Sequence, residues 1–178
     1  MALVLCLVIA PFQASAQVPP TDREYAAYTG LFAAAAKGDV ATSSALTKDK
    51  SALNARDPYR RTPLMVAAYA RQHEAAKTLI EAWADLDALE RDRYDAVTIA
   101  SVADDVEMLR IALTAGAHPG QTTSPYDGTA LIAAAHLGHV EVVKTLIAAG
   151  APLDHVNNLA YSKPARPYIS RTETACRR

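Results

Sequence analysis

The sequence predicts an all-α fold built from repeated pairs of short antiparallel helices, and two observations carry this expectation. The first is self-similarity at a nearly fixed period. Lys144 to His155 (KTLIAAGAPLDH) matches Lys77 to Ala88 (KTLIEAWADLDA) at an offset of 67, and Val106 to Pro119 (VEMLRIALTAGAHP) matches the stretch from Val140 at an offset of 34. The remaining step is 33, and a further 33 places Leu31 to Val40 on Leu64 to His73 and Leu53 on Leu86. The second observation is the pattern inside each copy. A small-residue helix such as Ala130 to Leu137 precedes one whose Val140, Val143, Leu146 and Ile147 fall on one apolar face. Neither helix can bury its apolar side alone, so the copies must stack.

Taken in order, the chain opens with Met1 to Ala10, an unbroken apolar run ended by Pro11 and followed by Ala14-Ser15-Ala16. This reads as a signal peptide over 1–16, cleaved after Ala16, with Gln17 as the first mature residue. The run is too short to span a bilayer. No Lys or Arg precedes it, so a start upstream of Met1 is also open. Residues 17–29 read as a Pro-containing linker and the start of an N-terminal helix. Arg23 to Ala36 is expected to be one helix, with Tyr25, Tyr28 and Phe32 on one face. The repeats occupy 30–155 in about four units. The first is an irregular cap whose second helix, Val40 to Leu46, carries the polar Thr42, Ser43 and Ser44.

Asp57 to Ala88 is the most regular unit. Thr62 can cap its first helix, and Pro63 stands at the first helical position, where a missing N–H costs nothing. Glu90 to Pro119 and Thr123 to Leu153 are the next two units. Three loops rich in Pro, Asp or Gly introduce them: Asp57 to Arg61, Glu90 to Asp95, and Ser124 to Gly128.

The period of 33, Arg61 to Ala70 (RTPLMVAAYA) and Ala134 to Val143 (AAHLGHVEVV) resemble the ankyrin repeat, over roughly 126 of 178 residues. The resemblance implies a solenoid of helix-turn-helix units with β-turn fingers. Several positions depart from the pattern. Met65 stands for His, Asp95-Ala96-Val97 for Thr-Pro-Leu, Arg71 and Asp104 for the inter-helix Gly, and Trp83 for the Gly after a second helix. A left-handed Trp there costs about 1 kcal/mol or more.

Composition bounds function. With 51% hydrophobic and 21% charged residues the chain is globular, and a formal net charge of −1 gives no reason to expect nucleic acid or an anionic membrane as partner. Only Cys6 and Cys176 are present, and loss of Cys6 with the leader excludes an intramolecular disulfide, which fits a bacterial periplasm. No G-x-S-x-G and no glycine-rich phosphate loop occurs. His136 and His139 are the closest approach to a metal pair, yet no Cys or carboxylate completes the set, and His139 is expected to make the turn hydrogen bond usual for such units. Asp104-Asp105 reads as a solvated inter-helix turn. The chain is thus expected to be no enzyme, to hold no cofactor or metal, and to act as a monomer.

The resemblance implies binding through fingers and the exposed side of the first helices. In this register the candidate partner-binding residues are Tyr59, Arg61, Tyr69, Arg91, Tyr94, Tyr126 and His136, accompanied by Arg60 and Arg93. Tyr and Arg are enriched at protein interfaces. The expected function is a periplasmic or secreted module that binds an unidentified protein. An inhibitor, immunity or enzyme-protecting accessory of the catalase-associated type is the alternative that the resemblance offers, and a metal carrier through His136 and His139 is a third reading.

The repeat pattern stops after Asn158. Residues 156–178 read as a basic tail without an apolar helical face, carrying Lys163, Arg166, Arg171, Arg177 and Arg178 against Glu173. Codons permitted in a shifted frame from Ala160 onward could encode a further Gly-Ala turn and Asp-Gly finger. A frameshifted longer protein and a genuine disordered tail are therefore both open. Either predicts a frayed last helix pair.

Overall fold

The computed structural model describes residues 17–158. The expected leader (1–16) and most of the basic tail (159–178) lie outside the described residues. Among the described residues ten helices follow in order: α1 (Asp22–Ala27), α2 (Gly30–Lys37), α3 (Val40–Leu46), α4 (Lys50–Leu53), α5 (Pro63–Tyr69), α6 (His73–Glu81), α7 (Ala96–Val102), α8 (Val106–Thr114), α9 (Ala130–Leu137) and α10 (Val140–Ala148). The same residues contain no strand, only an isolated antiparallel bridge between Thr123 and Gly128.

Two rows organise the stack. The inner row packs α2, α5, α7 and α9 in sequence, and the outer row packs α3, α6, α8 and α10, with each inner helix also against its own outer partner. The inner row can pack closely because many of its buried positions are small: Ala34, Ala35, Ala67, Ala68, Ala100, Ser101 and Ala134. Leu79, Met108, Leu109 and Leu146, all completely buried, fill the space beneath the outer row. In α10 the buried face is Val142, Val143 and Leu146, whereas Val140 is 43% exposed. Of the face expected, Val143 and Leu146 are buried and Ile147 packs against the core, while Val140 is exposed and Val142 is buried in its stead.

Helix starts follow the local chemistry. Thr62 Oγ1 accepts from Met65 N at 3.3 Å, Asp95 from Thr98 N at 2.6 Å, and Asp105 from Met108 N at 3.0 Å. Each replaces a hydrogen bond that the first helical turn lacks. Asp105 is 4% exposed and also receives His73 Nε2 at 2.9 Å. The expectation of a solvated Asp104-Asp105 turn is corrected: Asp104 is exposed, but Asp105 faces inward as cap and inter-repeat acceptor.

The single helix expected over Arg23 to Ala36 is two helices. Tyr28 is extended (φ −64°, ψ 141°), which ends α1, and α2 begins at Gly30. The break lets Tyr28 stack on Phe32, with ring centroids 5.3 Å apart, while Tyr25 meets Tyr28 edge-on at 6.1 Å. The shared aromatic face expected of these three residues is present.

The substituted turn positions keep the geometry of the glycines they replace. Arg71 and Asp104 adopt φ of 54° and 53°, matching Gly38 and Gly138, and Trp83 adopts 72° where Gly116 and Gly150 adopt 100° and 88°. The stack is regular through its middle, at the cost of three left-handed L-residues.

Candidate protein-binding face

Three finger loops lead into the starts of α5, α7 and α9. Finger 1 closes by Asp57 N donating to Arg61 O (3.1 Å), finger 2 by Glu90 N to Tyr94 O (3.0 Å), and finger 3 by Thr123 N to Gly128 O (2.7 Å). The first two span one residue fewer than the third. That extra residue is why the repeat offset changes from 33 to 34 at this point in the sequence. The fingers are joined edge to edge by backbone bonds: Arg91 N to Tyr59 O (2.9 Å), Ser124 N to Arg93 O (3.0 Å) and Asn158 N to Tyr126 O (2.8 Å).

Arg61 is buried, at 1% exposure. Its Nη2 lies 2.9 Å from Glu24 Oε1, and its Nε lies 3.5 Å from Asp57 Oδ2. Tyr28 completes the cluster, donating its hydroxyl to Asp57 Oδ2 at 2.7 Å and accepting from Arg61 Nη1 at 3.3 Å. Burial acts to raise the Glu24 carboxyl, but the hydrogen bonds from Thr21 and the Arg61 charge outweigh it and hold the group below its usual range. The cluster ties α1 to the root of finger 1.

In finger 2 the register mate of Arg61 is Tyr94, and no cation reaches inward. Glu90 is 6% exposed, and its carboxylate accepts from Asp92 N (3.1 Å) and Tyr94 N (3.4 Å). Burial raises its pKa against those two donors. Asp95, 1% exposed, is pushed up to about 6 by burial, against the hydrogen bonds from Thr98.

The sequence-predicted residues therefore separate into groups. Arg61 and Tyr94 (3% exposed) are structural, and the expectation that they present side chains outward is corrected. Physically, a finger root sits over the inner row, and long side chains there fill space. Tyr59 is half-buried beneath two guanidiniums, Arg61 Cζ at 4.3 Å and Arg91 Cζ at 4.7 Å from its ring centroid. Arg91 and His136 are exposed, Tyr126 is 54% exposed, and Tyr69 is partly buried beside the core. His139 Nδ1 lies 2.9 Å from Ser101 O, a bond between successive repeats rather than within its own turn. Among the described residues no three His, Cys, Asp or Glu side chains converge as a metal site, and no helix is long and apolar enough to cross a membrane.

Sequence reasoning missed a groove of about 540 Å³ lined by Tyr25, Ala36, Lys37, Tyr69 and Gln72. It lies between α1, the ends of α2 and α5, and the turn into α6. Gly38 makes room for its floor: a Cβ there would stand 2.2 Å from Gln72 Oε1. The signal available was the Tyr25, Tyr28, Phe32 spacing, whose first member lines this groove while the other two pack on each other.

A family model described as Ankyrin repeats (3 copies) matches residues 4–92, and one described as Ankyrin repeat matches residues 126–158. Among solved structures, the chain is similar to an ankyrin repeat domain from Acinetobacter baumannii AYE, with 36% identity, 82% of this chain and 78% of that chain covered, and a TM-score of 0.70. The chain belongs to the ankyrin-repeat family. No curated protein matches the sequence. Ankyrin repeats generally mediate protein–protein interaction and are typically non-catalytic. In this ankyrin stack the groove brings Tyr25, Tyr69, Lys37 and Gln72 together, and Arg60, Arg91 and Tyr126 of the fingers are exposed.

Proposed function

We propose that this protein is an exported, non-catalytic module of a bacterial periplasm. It binds one partner protein through fingers 1 to 3 and the groove beside α1. The observation that carries the reading is the groove itself: two tyrosines, an amide and a lysine facing one another on the inner-helix side. Tyrosine rings give large contact area at low entropic cost, and Lys37 and Gln72 supply orienting polar groups. The apolar Met1 to Ala10 and Ala14-Ser15-Ala16 support export with cleavage after Ala16.

Affinity capture from the periplasmic fraction tests the binding. The wild-type protein should retain a stoichiometric partner that Tyr25→Ala/Tyr126→Ala releases, with unchanged helical circular dichroism. A partner held equally by both proteins would place the interface elsewhere. Mass spectrometry of the same fraction should find Gln17 at the N-terminus, and an intact Met1 in the cytosol would sink the export reading.

A further inference from the structure

Fingers 1 and 2, over residues 56–61 and 90–95, contain five arginines and four carboxylates, so their formal charge nearly balances. Their surface does not. Asp57 is turned inward onto Arg61, with its side chain 4% exposed, and Glu90 and Asp95 are 6% and 1% exposed. Each of these three carboxylates is occupied by its own loop or helix start. Arg56, Arg60, Arg91 and Arg93 are all exposed. Of these, Arg93 is paired with Asp127 at 2.9 Å. Arg56 Nη1 donates to two carbonyls, Arg60 O (2.7 Å) and Leu89 O (2.9 Å), and meets no carboxylate. Among the described residues neither Arg60 nor Arg91 has an ion pair; Arg91 stands over the Tyr59 ring. Asp92, partly exposed, is the one carboxylate of the two fingers left near the surface.

The finger pair has thus largely sorted its charges by depth, with three of its four acids and Arg61 at the root and the other four guanidiniums at the tip. Burying carboxylates costs stability, and among the described residues Glu90 and Asp95 are buried without an ion pair. What the arrangement leaves outside is a set of planar donors spaced along a loop row around a half-buried tyrosine. Guanidiniums bind carboxylates through paired parallel hydrogen bonds, and exposed ones without an ion pair keep those donors for a partner.

We infer that fingers 1 and 2 dock an acidic segment of the partner protein, with Arg60 and Arg91 taking its carboxylates. This rests on the protein-binding reading above and adds the partner's chemistry. A protein segment is favoured over nucleic acid by the surroundings. The acidic Asp92 and the carboxylates of the finger roots lie close behind the tips, and the wider chain has a formal charge of −1, whereas a phosphate backbone calls for an extended basic track.

The test uses the full chain and a fluorescein-labelled glutamate–tyrosine copolymer, read by fluorescence anisotropy at low and high salt. A lysine–tyrosine copolymer and a short double-stranded DNA serve as the other probes. The comparison variant is R60N/R91Q; asparagine tolerates the left-handed φ of 62° at position 60, so the turn is kept. Expected is binding of the acidic copolymer that weakens with salt, weakens about tenfold in R60N/R91Q, and exceeds that of the lysine copolymer. Tighter binding of DNA through the same two arginines would overturn the assignment to a protein segment. Acidic-copolymer binding that is undiminished in R60N/R91Q but lost in Y25A/K37Q would overturn the finger assignment and leave the groove as the interface. Binding indifferent to both variants would overturn this inference and the concave-face reading together.

Discussion

Arg61 Nη2 lies 2.9 Å from Glu24 Oε1, a contact that joins residues 37 apart in sequence and fastens α1 over the first finger. The N-terminal helix has no buried residue of its own, so this ion pair and the Tyr28 ring are its main attachments. Arg61→Ala should destabilise the protein by about 3 kcal/mol, because it leaves Asp57 buried without its cation. Glu24→Gln should cost about 1 kcal/mol, since the new side-chain amide oxygen would still accept a hydrogen bond from the guanidinium. Urea titrations followed by circular dichroism read both. Equal stability of Arg61→Ala and wild type would show that α1 is held by other contacts.

Asp95 supplies a pH dependence with a definite sign. Its folded pKa of about 6 exceeds the ordinary carboxyl value, so the folded state holds a proton that the unfolded state releases in the window from about 4 to 6. Stability should fall as pH rises through that window. Asp95→Asn keeps the acceptor for Thr98 N and removes the buried charge. It should stabilise the protein by about 2 kcal/mol at pH 8 and change little near pH 4. Thermal melts across this range check it, and a destabilised variant at pH 8 would show that the charged cap is favourable after all.

Trp83 is 84% exposed and left-handed, and it is the one tryptophan of the sequence. Its emission should match that of fully solvated indole and shift little on unfolding. Trp83→Gly should raise stability by about 1 kcal/mol by removing the Cβ strain at φ 72°. A blue-shifted emission in the purified protein would mean that the ring is covered in solution.

Tyr94 predicts behaviour at the alkaline end. Burial pushes its phenol up to about 12, ahead of smaller contributions from Asp92 and Glu90. The folded state therefore resists ionisation that the unfolded state undergoes near pH 10, and stability should be lost as pH rises from about 10 to 12. Tyr94→Phe should unfold at higher pH than wild type. Coincident alkaline transitions would exclude Tyr94 as a contributor.

The stack was legible because its information is local and repeated. Small residues at Ala34, Ala67, Ala100 and Ala134, caps at Thr62 and Asp95, and the repeat spacing each act within one unit, and the units sum. Even the change of offset from 33 to 34 proved to be one extra residue inside finger 3. The site was less legible, because whether a finger side chain points out or in depends on what lies beneath it. Arg61 and Tyr94 occupy equivalent positions and both turn inward, one to meet Glu24 and the other to fill space. Glu24 lies 37 residues from Arg61 in sequence, so this contact is not written near it. Lys37 and Gln72 escaped notice for the same reason: a groove between α2 and α5 is made by residues 35 apart. The Tyr28 break was hidden because Tyr28 and Thr29 are tolerated in a helix, and the contacts Tyr28 makes in the extended state, with Asp57 and Arg61, lie far away in sequence.

The backbone bonds that join one finger to the next make the loop row a serial clasp. The amide of Arg91 is held by finger 1 and that of Ser124 by finger 2, so each loop is timed by its predecessor. Opening should then run along the row as a zip does, and the two amides act as clocks at successive teeth, readable by hydrogen–deuterium exchange. A molecule gripping the first finger would slow the Arg91 clock strongly and the Ser124 clock less. The gradient between them would register which end of the row had been seized without any structure of the complex.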